Sequence, residues 1–461
     1  MSGKIAYEAI DKNRSQMEKL SLAIWACPEG GYHEYNAQKW TAELLEKNGF
    51  TVELGAGEVP TAIKATWGSG KPVIGFLGEY DALPGLSQEV GTQQKAVEGQ
   101  AYGQGCGHNL LGVGHVGAVL GMKAEMEEKG LKGTIIYFGC PAEELLTGKS
   151  FMARGHAFDG LDCAIAFHPG TANEVTMGNS LALNSVKFHF HGVTAHAGGD
   201  PHNGRSALDA CELMSVGANY LREHVTSDVR IHYVIKEGGT APNIVPDNAS
   251  VWYYVRAMSR QAIEDTYARL VKVAEGAAHM TETKLEIEFL GGCYNSMSNK
   301  VLVEVAHDMM EQIPLPQWTE EELDFAQKLN LESPQYEKMK EAGLLDGPAI
   351  CSVVPPIANR NGYGSSDVGD VQHIVPCVQV MTATCNLAAP GHSWQITACA
   401  GMSIGMKGML YGAKVMAATA MKLVDDPKLV EQAKEEFQQS MKGQSYKCPI
   451  PKEVPIPQPQ K

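Results

Sequence analysis

The chain has 461 residues, with 38 Lys and Arg against 53 Asp and Glu, and a formal net charge of −15. A composition that is 44% hydrophobic and 20% charged supplies large cores and excludes global disorder, and the length suggests about two or three domains. Acidity without a sustained Lys/Arg tract excludes nucleic-acid and anionic-membrane binding as leading functions. The opening MSGKIAYEAIDKNRSQME has no apolar signal core, and no run of about 18 apolar residues could span a bilayer. The 11 cysteines run from Cys27 to Cys448 with an odd total and no CxxC pair. A reducing, cytoplasmic compartment is therefore expected, with the thiols as packed core residues and not staples.

Residues 5–25 read as an amphipathic helix and 35–48 as a second, stopped by Gly49. An apolar strand, Val73–Leu77, runs into a turn-rich end, and the Gly-rich loop 103–107 precedes a helix over 110–129. Strands follow at Thr134–Phe138 and Cys163–Phe167. Alternating apolar strands and helices predict an α/β sheet buried on both faces. Each of these strands runs towards Glu, Asp or His at its C-terminal end, where open α/β sheets bind ligands.

The pattern changes near 184. A strand at NSVKFHFHGV, a helix over 205–224, strands at 229–235 and 249–256, a helix over 262–279 and a strand at 284–289 give the order β-α-β-β-α-β. That is the split βαβ motif. We therefore expect a catalytic domain in two parts, 1–183 and 294–445, with a lid or dimerisation domain of 184–293 inserted between them. The second part holds helices near 299–311 and 321–341, a strand near 375–381 and a long helix after Gly401. The tail 446–461, CPIPKEVPIPQPQK at its end, is too Pro-rich for a helix and is expected to run over the surface.

Chemistry concentrates in GEYDALPG (78–85), GQGCGHN (103–109), CPAEELLTG (140–148), AFHPG (166–170) and APGHSW (389–394). His, Cys and carboxylates are zinc's preferred ligands. Cys106 and His108 stand two apart in a Gly-rich loop, yet alone they read equally as a packed thiol and a hydrogen-bonded turn histidine. The adjacent Glu143 and Glu144 follow a strand and a proline. Two neighbouring carboxylates repel unless a cation or proton lies between them; one can hold metal while the other collects a proton. The plainer alternative is an acidic first helical turn. His168 ends a strand, and His392 follows the last predicted one with Trp394 as a nearby wall. Groups at successive strand ends can converge on one crevice.

In combination and order, DALPG, GCGHN, PAEE, the His-Pro pair and the late Gly-His resemble the zinc-dependent aminoacylase and carboxypeptidase-G-like metallopeptidases. The similarity runs over nearly the whole chain. It is strongest to the amidohydrolase branch, which includes aminobenzoyl-glutamate hydrolase and the auxin-conjugate hydrolases. The resemblance implies two divalent ions, zinc or manganese, held by Cys106, His108, Glu144, His168 and His392. It implies Glu143 as general acid/base and Asp81 as a supporting carboxylate beneath the site. It also implies that the inserted domain dimerises, that His196 in GVTAHAGG reaches a partner's active site to hold the oxyanion, and that Asn243 in GGTAPNIVPD binds substrate.

The sequence departs from the family's common patterns in two places. Gly78-Glu79-Tyr80-Asp81 stands where many relatives have R-A-D-M-D, and GSSDVGD (364–370) replaces E-D-F. Asp367 and Asp370 thus either orient a ligand or line the pocket, or simply cap a helix. The stretch 316–360 looks longer than in compact relatives. His189 and His191 share a strand face, as a metal pair or as ordinary strand residues; His115 and Cys140 read as packing. The expected function is metal-dependent hydrolysis of N-acyl or N-aroyl amino acids, with aminobenzoyl-glutamate-like amides leading. The alternatives are a dipeptidase, a deacylase of other N-acyl amino acids, or a metal-binding assembly subunit without catalysis. A homodimer is expected, and a related second subunit is the other possible arrangement.

Overall fold

A computed structural model describes residues 3–458; the last three residues of the Pro-rich tail and the first two of the chain lie outside it. Helices α1 (Lys4–Ala26) and α2 (Tyr35–Lys47) open the chain. Strands β1 (Thr51–Leu54), β2 (Ile63–Ser69) and β3 (Val73–Glu79) follow, then the short pair β4 (Leu83–Pro84) and β5 (Tyr102–Gly103). Helix α3 (His108–Lys129) leads to β6 (Gly133–Cys140), and α4 (Gly148–Arg154) to β7 (Cys163–Gly170) and β8 (Glu174–Val175).

The inserted region runs β9 (Ala182–His191), α5 (Ala207–Leu221), β10 (Arg230–Glu237), β11 (Asn248–Ala257), α6 (Arg260–Thr281) and β12 (Lys284–Cys293). Helices α7 (Lys300–Gln312), α8 (Glu320–Leu331), α9 (Tyr336–Glu341) and α10 (Val368–Gln372) precede β13 (Cys377–Ala383). Helices α11 (Trp394–Ala400), α12 (Ser403–Asp425) and α13 (Pro427–Met441) close the fold.

A seven-stranded mixed sheet in the order β1-β2-β6-β3-β7-β13-β8 organises the catalytic part. Its centre, β6-β3-β7-β13, is parallel, so the C-terminal ends of these strands share one edge. Successive residues face opposite layers, as strand periodicity requires. Ile135, Tyr137, Ile165 and Phe167 join α1, α3 and α12 in one core, while Ile136, Phe138, Ala164 and Ala166 face Phe151, Phe158 and Val371 in another. This double burial is what the uninterrupted apolar strands predict. The sequence pattern does not announce β1, which is largely exposed at the sheet edge, or β2, which lies antiparallel between β1 and β6 and buries only Ile63 and Ala65. The chain places β6 on one side of β3 and later β7 on the other, the reversal of order at which α/β sheets open a crevice.

The inserted region has its own antiparallel sheet, β10-β11-β9-β12, and its own core around Phe188, Phe190, Met214, Val251, Tyr253 and Leu270. Its element order is the split βαβ expected from the sequence. Ser206 and Ser259 cap α5 and α6 with their side-chain oxygens.

Two expected helices are divided. Residues 321–341 break between α8 and α9 at Ser333-Pro334, because proline disfavours helical geometry in the residue before it. The helix after Gly401 likewise restarts at Pro427 as α13. The described part of the tail forms no helix, as expected, but it is more than a surface run. Ile450 is 1% exposed, Tyr446 Oη donates to Asp370 at 2.6 Å, and Arg154 donates to the carbonyls of Pro451 and Val454.

Candidate metal centre

The parallel strands deliver their loops to one edge, and each loop is shaped to turn a polar side chain inwards. Between β5 and α3, Gly107 adopts a left-handed φ of 76° and starts α3 at His108. Asn109 pins that helix start by donating to Ser21 Oγ and the Ala400 carbonyl at 3.0 and 3.1 Å. One turn on, a Cβ at Gly112 would lie 2.3 Å from the Glu79 carbonyl, so only glycine lets α3 approach the end of β3 so closely. After β6, Glu143 and Glu144 sit in a single tight turn flanked by Ala142 and Leu146, both left-handed at φ 54° and 57°. Such backbone costs about 1–2 kcal/mol per non-glycine residue. Glu34, buried, accepts the Ala142 N–H at 2.8 Å and helps hold the turn.

Asp81 links the loops. Its Oδ1 accepts from His108 Nδ1 at 2.9 Å, and its Oδ2 accepts the Glu144 N–H at 2.9 Å. With the Nδ1 proton committed, His108 directs Nε2 into the crevice, where it is fully buried without a hydrogen-bond partner, as is Glu144 Oε1. Cys106 Sγ lies 3.4 Å from His168 Nε2, and His392 Nε2 lies 3.4 Å from Glu144 Oε2. Donor atoms of Cys106, His108 and His168 fall within 4.8 Å of one another. So do those of Cys106, Glu144 and His392, and those of Glu79, His108 and Glu143.

The electrostatics of the crevice call for cations. Carboxylates of Glu34, Glu79, Asp81, Glu143, Glu144 and Asp367 gather around one buried ammonium, Lys149, which holds Glu79 Oε1 at 2.5 Å and Asp367 Oδ1 at 2.7 Å. Burial, reinforced by Glu79, pushes Glu143 up to about 7. Burial, reinforced by Asp81 and Glu143 and opposed by His108, pushes Glu144 up to about 8. Burial drives the Cys106 thiol up to about 12 and His168 down to about 4. A thiolate and paired carboxylates persist in such a place when a metal ion replaces their protons. Orphaned His108 Nε2 and Glu144 Oε1, with soft Cys106 beside them, fit divalent zinc or manganese and disfavour magnesium.

The structure thus brings together Asp81, Cys106, His108, Glu143, Glu144, His168 and His392. His196 and Asn243 belong to none of its donor clusters, and their two loops pair with each other. The Ala197 N–H donates to the Asn243 carbonyl at 3.0 Å, and His196 bridges Ile244; both side chains lie in exposed residues. Asp367 neither orients a ligand histidine nor caps α10: its buried carboxylate binds the backbone and ammonium of Lys149. Asp370 accepts from Tyr294 N–H and Tyr446 Oη. His189 and His191 pair with Glu288 and Glu286 across β12, and His115 and Cys140 are buried in the core. Glu79, Lys149 and Glu34 escape a reading by motif. The available signal is Lys149 itself, a lysine in the buried first turn of GKSFMAR.

The model of the Peptidase dimerisation domain family matches residues 182–281. One of the p-aminobenzoyl-glutamate hydrolase subunits of Escherichia coli (strain K12) is 38% identical to this chain over 97% of both. The chain belongs to the M20 peptidase family. Among further relatives, Xaa-Arg dipeptidase of Mus musculus is 29% identical over 94% of this chain and 91% of its own. The solved aminobenzoyl-glutamate utilization protein of Klebsiella pneumoniae shares the fold with a TM-score of 0.65 at 18% identity, covering 90% of this chain and 97% of that one. A dinuclear metal binding M20 peptidase of Bacillus subtilis gives 0.58 at 15% identity, covering 90% and 99%. The fold is therefore that of M20: a mixed-sheet α/β catalytic domain carrying an inserted dimerisation-like domain. Fold and ligand clusters together are those of a metal-dependent hydrolase. Among the described residues, no helix is long and apolar enough to cross a membrane.

Proposed function

We propose that this M20 protein is a two-metal amidohydrolase that cleaves N-acyl or N-aroyl amino acids, with aminobenzoyl-glutamate-like amides as its leading substrates. The observation that carries this reading is a pair of three-donor clusters sharing Cys106, with the buried Glu143 beside them and outside both. In this reading Cys106, His108 and His168 hold one ion and Cys106, Glu144 and His392 the other. Bound zinc or manganese supplies the Lewis acidity that polarises the scissile carbonyl and acidifies water. Asp81 keeps the His108 proton on Nδ1 and braces the Glu144 backbone. Glu143, raised towards neutrality, takes a proton from the attacking water and returns it to the leaving nitrogen. His196 of the partner subunit donates to the oxyanion, and Asn243 binds the substrate near its carbonyl or carboxylate.

Dimerisation through the inserted domain is part of the proposal. Edge strand β10 exposes Tyr233, Val234 and Ile235, and α5 exposes Leu213, Val216 and Tyr220. An unpaired apolar edge of this kind favours pairing with a second copy. The relatives' names also support the alternative of a related but different partner chain, since the other named subunit of the E. coli hydrolase is 29% identical over 50% of this chain. The Xaa-Arg dipeptidase likeness supports dipeptides as the second substrate class. Screening N-acyl amino acids, N-aroyl amino acids and dipeptides by liquid chromatography, with zinc and manganese supplied separately, tests the reading. We expect metal-dependent release of the amino acid; undiminished turnover in chelated, metal-free protein would overturn it.

A further inference from the structure

Glu79 has a place in the site that the ligand set above does not use. It ends β3, is 3% exposed, and points its two oxygens in different directions. Oε1 is held at 2.5 Å by Lys149, which Asp367 fixes in turn from the loop before α10. Oε2 stands 3.4 Å from His108 Nε2, closer than Glu144 Oε1 at 3.8 Å or Glu143 Oε2 at 3.9 Å. That nitrogen is fully buried and has no hydrogen-bond partner, because Asp81 already takes the other ring N–H.

A separation of 3.4 Å is long for a hydrogen bond, which prefers about 2.7–3.2 Å. It matches the edge of a tetrahedron of nitrogen and oxygen donors around one zinc-sized ion, about 3.4 Å for bonds of about 2.1 Å. The Cys106–His168 and Glu144–His392 donor pairs show the same 3.4 Å spacing. Resting on the two-metal reading, we propose that Glu79 is a further metal ligand, a monodentate carboxylate that binds beside His108 Nε2 on the ion His108 holds. Lys149 then has a defined role, because it occupies the second oxygen and leaves Glu79 presenting one donor in a fixed direction. The departure from R-A-D-M-D at this position acquires a chemical meaning, since a glutamate reaches where a shorter aspartate stops.

The test uses the full chain loaded with cobalt(II), whose visible absorption reports its ligand sphere, beside metal counts per chain after dialysis. Wild-type protein is expected to hold two ions. Glu79→Gln, which keeps an acceptor for Lys149, should lose one ion or bind it at least about 10-fold more weakly, and shift the cobalt spectrum. Glu79→Asp should recover part of both. If Glu79→Gln folds poorly, Glu79→Asp alone, which keeps the charge facing Lys149 and shortens the reach, carries the same two readouts. Unchanged affinity and spectrum overturn the proposal. Weakened binding with an unchanged spectrum also overturns it, because Glu79 would then act only through His108. Wild-type protein that binds no metal instead overturns the two-metal reading itself.

Discussion

Glu143 and His196 sit in opposite surroundings. Glu143 is 8% exposed, fixed in a strained turn and ringed by Glu79, Asp81, Lys149 and His108. His196 lies in an exposed loop and accepts, through Nδ1, the N–H groups of Gly198 and Gly199 from its own turn. The strand-end cluster is therefore built within one chain to excess, with more negative charge than its single ammonium balances. The inserted loop is shaped by its own backbone, and His196 belongs to none of the crevice's donor clusters. Burial makes the first region sensitive to any change of charge, whereas the second should tolerate change in every property except catalysis.

The largest effect expected is from Glu143→Gln. The side chain keeps its shape and loses its proton chemistry, so turnover should fall about 10²–10⁴-fold. Metal counts should stay at the wild-type value. Loss of metal in parallel with activity would place Glu143 among the ligands and redraw the site.

Lys149→Met addresses the buried half of the comparison through stability. It leaves Glu79 and Asp367 facing each other without their ammonium, and removing one partner of a buried pair costs about 3–5 kcal/mol. Denaturant unfolding should register this, and adding zinc should recover part of it. A surface-like loss of under about 1 kcal/mol would show that the carboxylates are already neutral.

His196→Ala addresses the exposed half. We expect turnover to fall about 10²–10³-fold, the usual effect of losing an oxyanion donor, with metal content and melting temperature unchanged. Mixing Glu143→Gln with His196→Ala subunits should restore activity, because a hybrid dimer assembles one intact site. Absence of any recovery from verified mixed dimers would break the idea of a shared site.

The pH response sharpens the same contrast from inside the core. His115 is packed between Phe76 and Phe167, and burial lowers it from 6.5 to about 4. Unfolded His115 binds a proton below about 6.5 that the folded form refuses, so stability falls as pH drops from about 6.5 towards 4 and is unaffected above that window. The contribution is about 3 kcal/mol in full. His115→Leu should flatten this limb of the stability–pH curve; an unchanged slope would assign it to the carboxylates instead.

Much of this arrangement was legible from residue order. Strand ends are where α/β sheets place chemistry: DALPG follows β3, PAEE follows β6, His168 lies near the end of β7 and His392 in the loop after β13, while GCGHN comes from the connection between β3 and α3, so their convergence follows from topology. The split βαβ insertion was equally legible, because a period of two alternating with helical stretches needs no tertiary information. Strands β1 and β2 were not, since β1 is an exposed edge and β2 buries only Ile63 and Ala65, so neither carries an apolar run. Glu79, Lys149 and Asp367 illustrate a different limit. They come from β3, α4 and the loop before α10, and only packing reveals that one lysine serves both carboxylates. Asp367 was open between orienting a ligand, lining the pocket and capping a helix, because Ser-Asp in a loop serves each.

His392 stands between the two regions, as the most open member of the clusters, with 57% of its side chain exposed. Its φ of 52° is left-handed, and its loop is held from behind by the long 316–360 stretch. Asn330 at the end of α8 accepts from Asn386 Nδ2 at 2.8 Å and from the Ala388 N–H at 2.9 Å, while Ser333 Oγ donates to the Ala388 carbonyl. Asn330→Ala strands these donors in a buried place, at about 1–3 kcal/mol. If the clamp merely stabilises the fold, melting temperature falls and metal binding does not change. If it aims His392, affinity for one of two ions should also fall about 10-fold, the scale at which groups behind a ligand tune a metal, while the ion at His108 and His168 stays. Calorimetric titration with manganese separates the two, and it decides whether α8 belongs to the site or only to the scaffold beneath it.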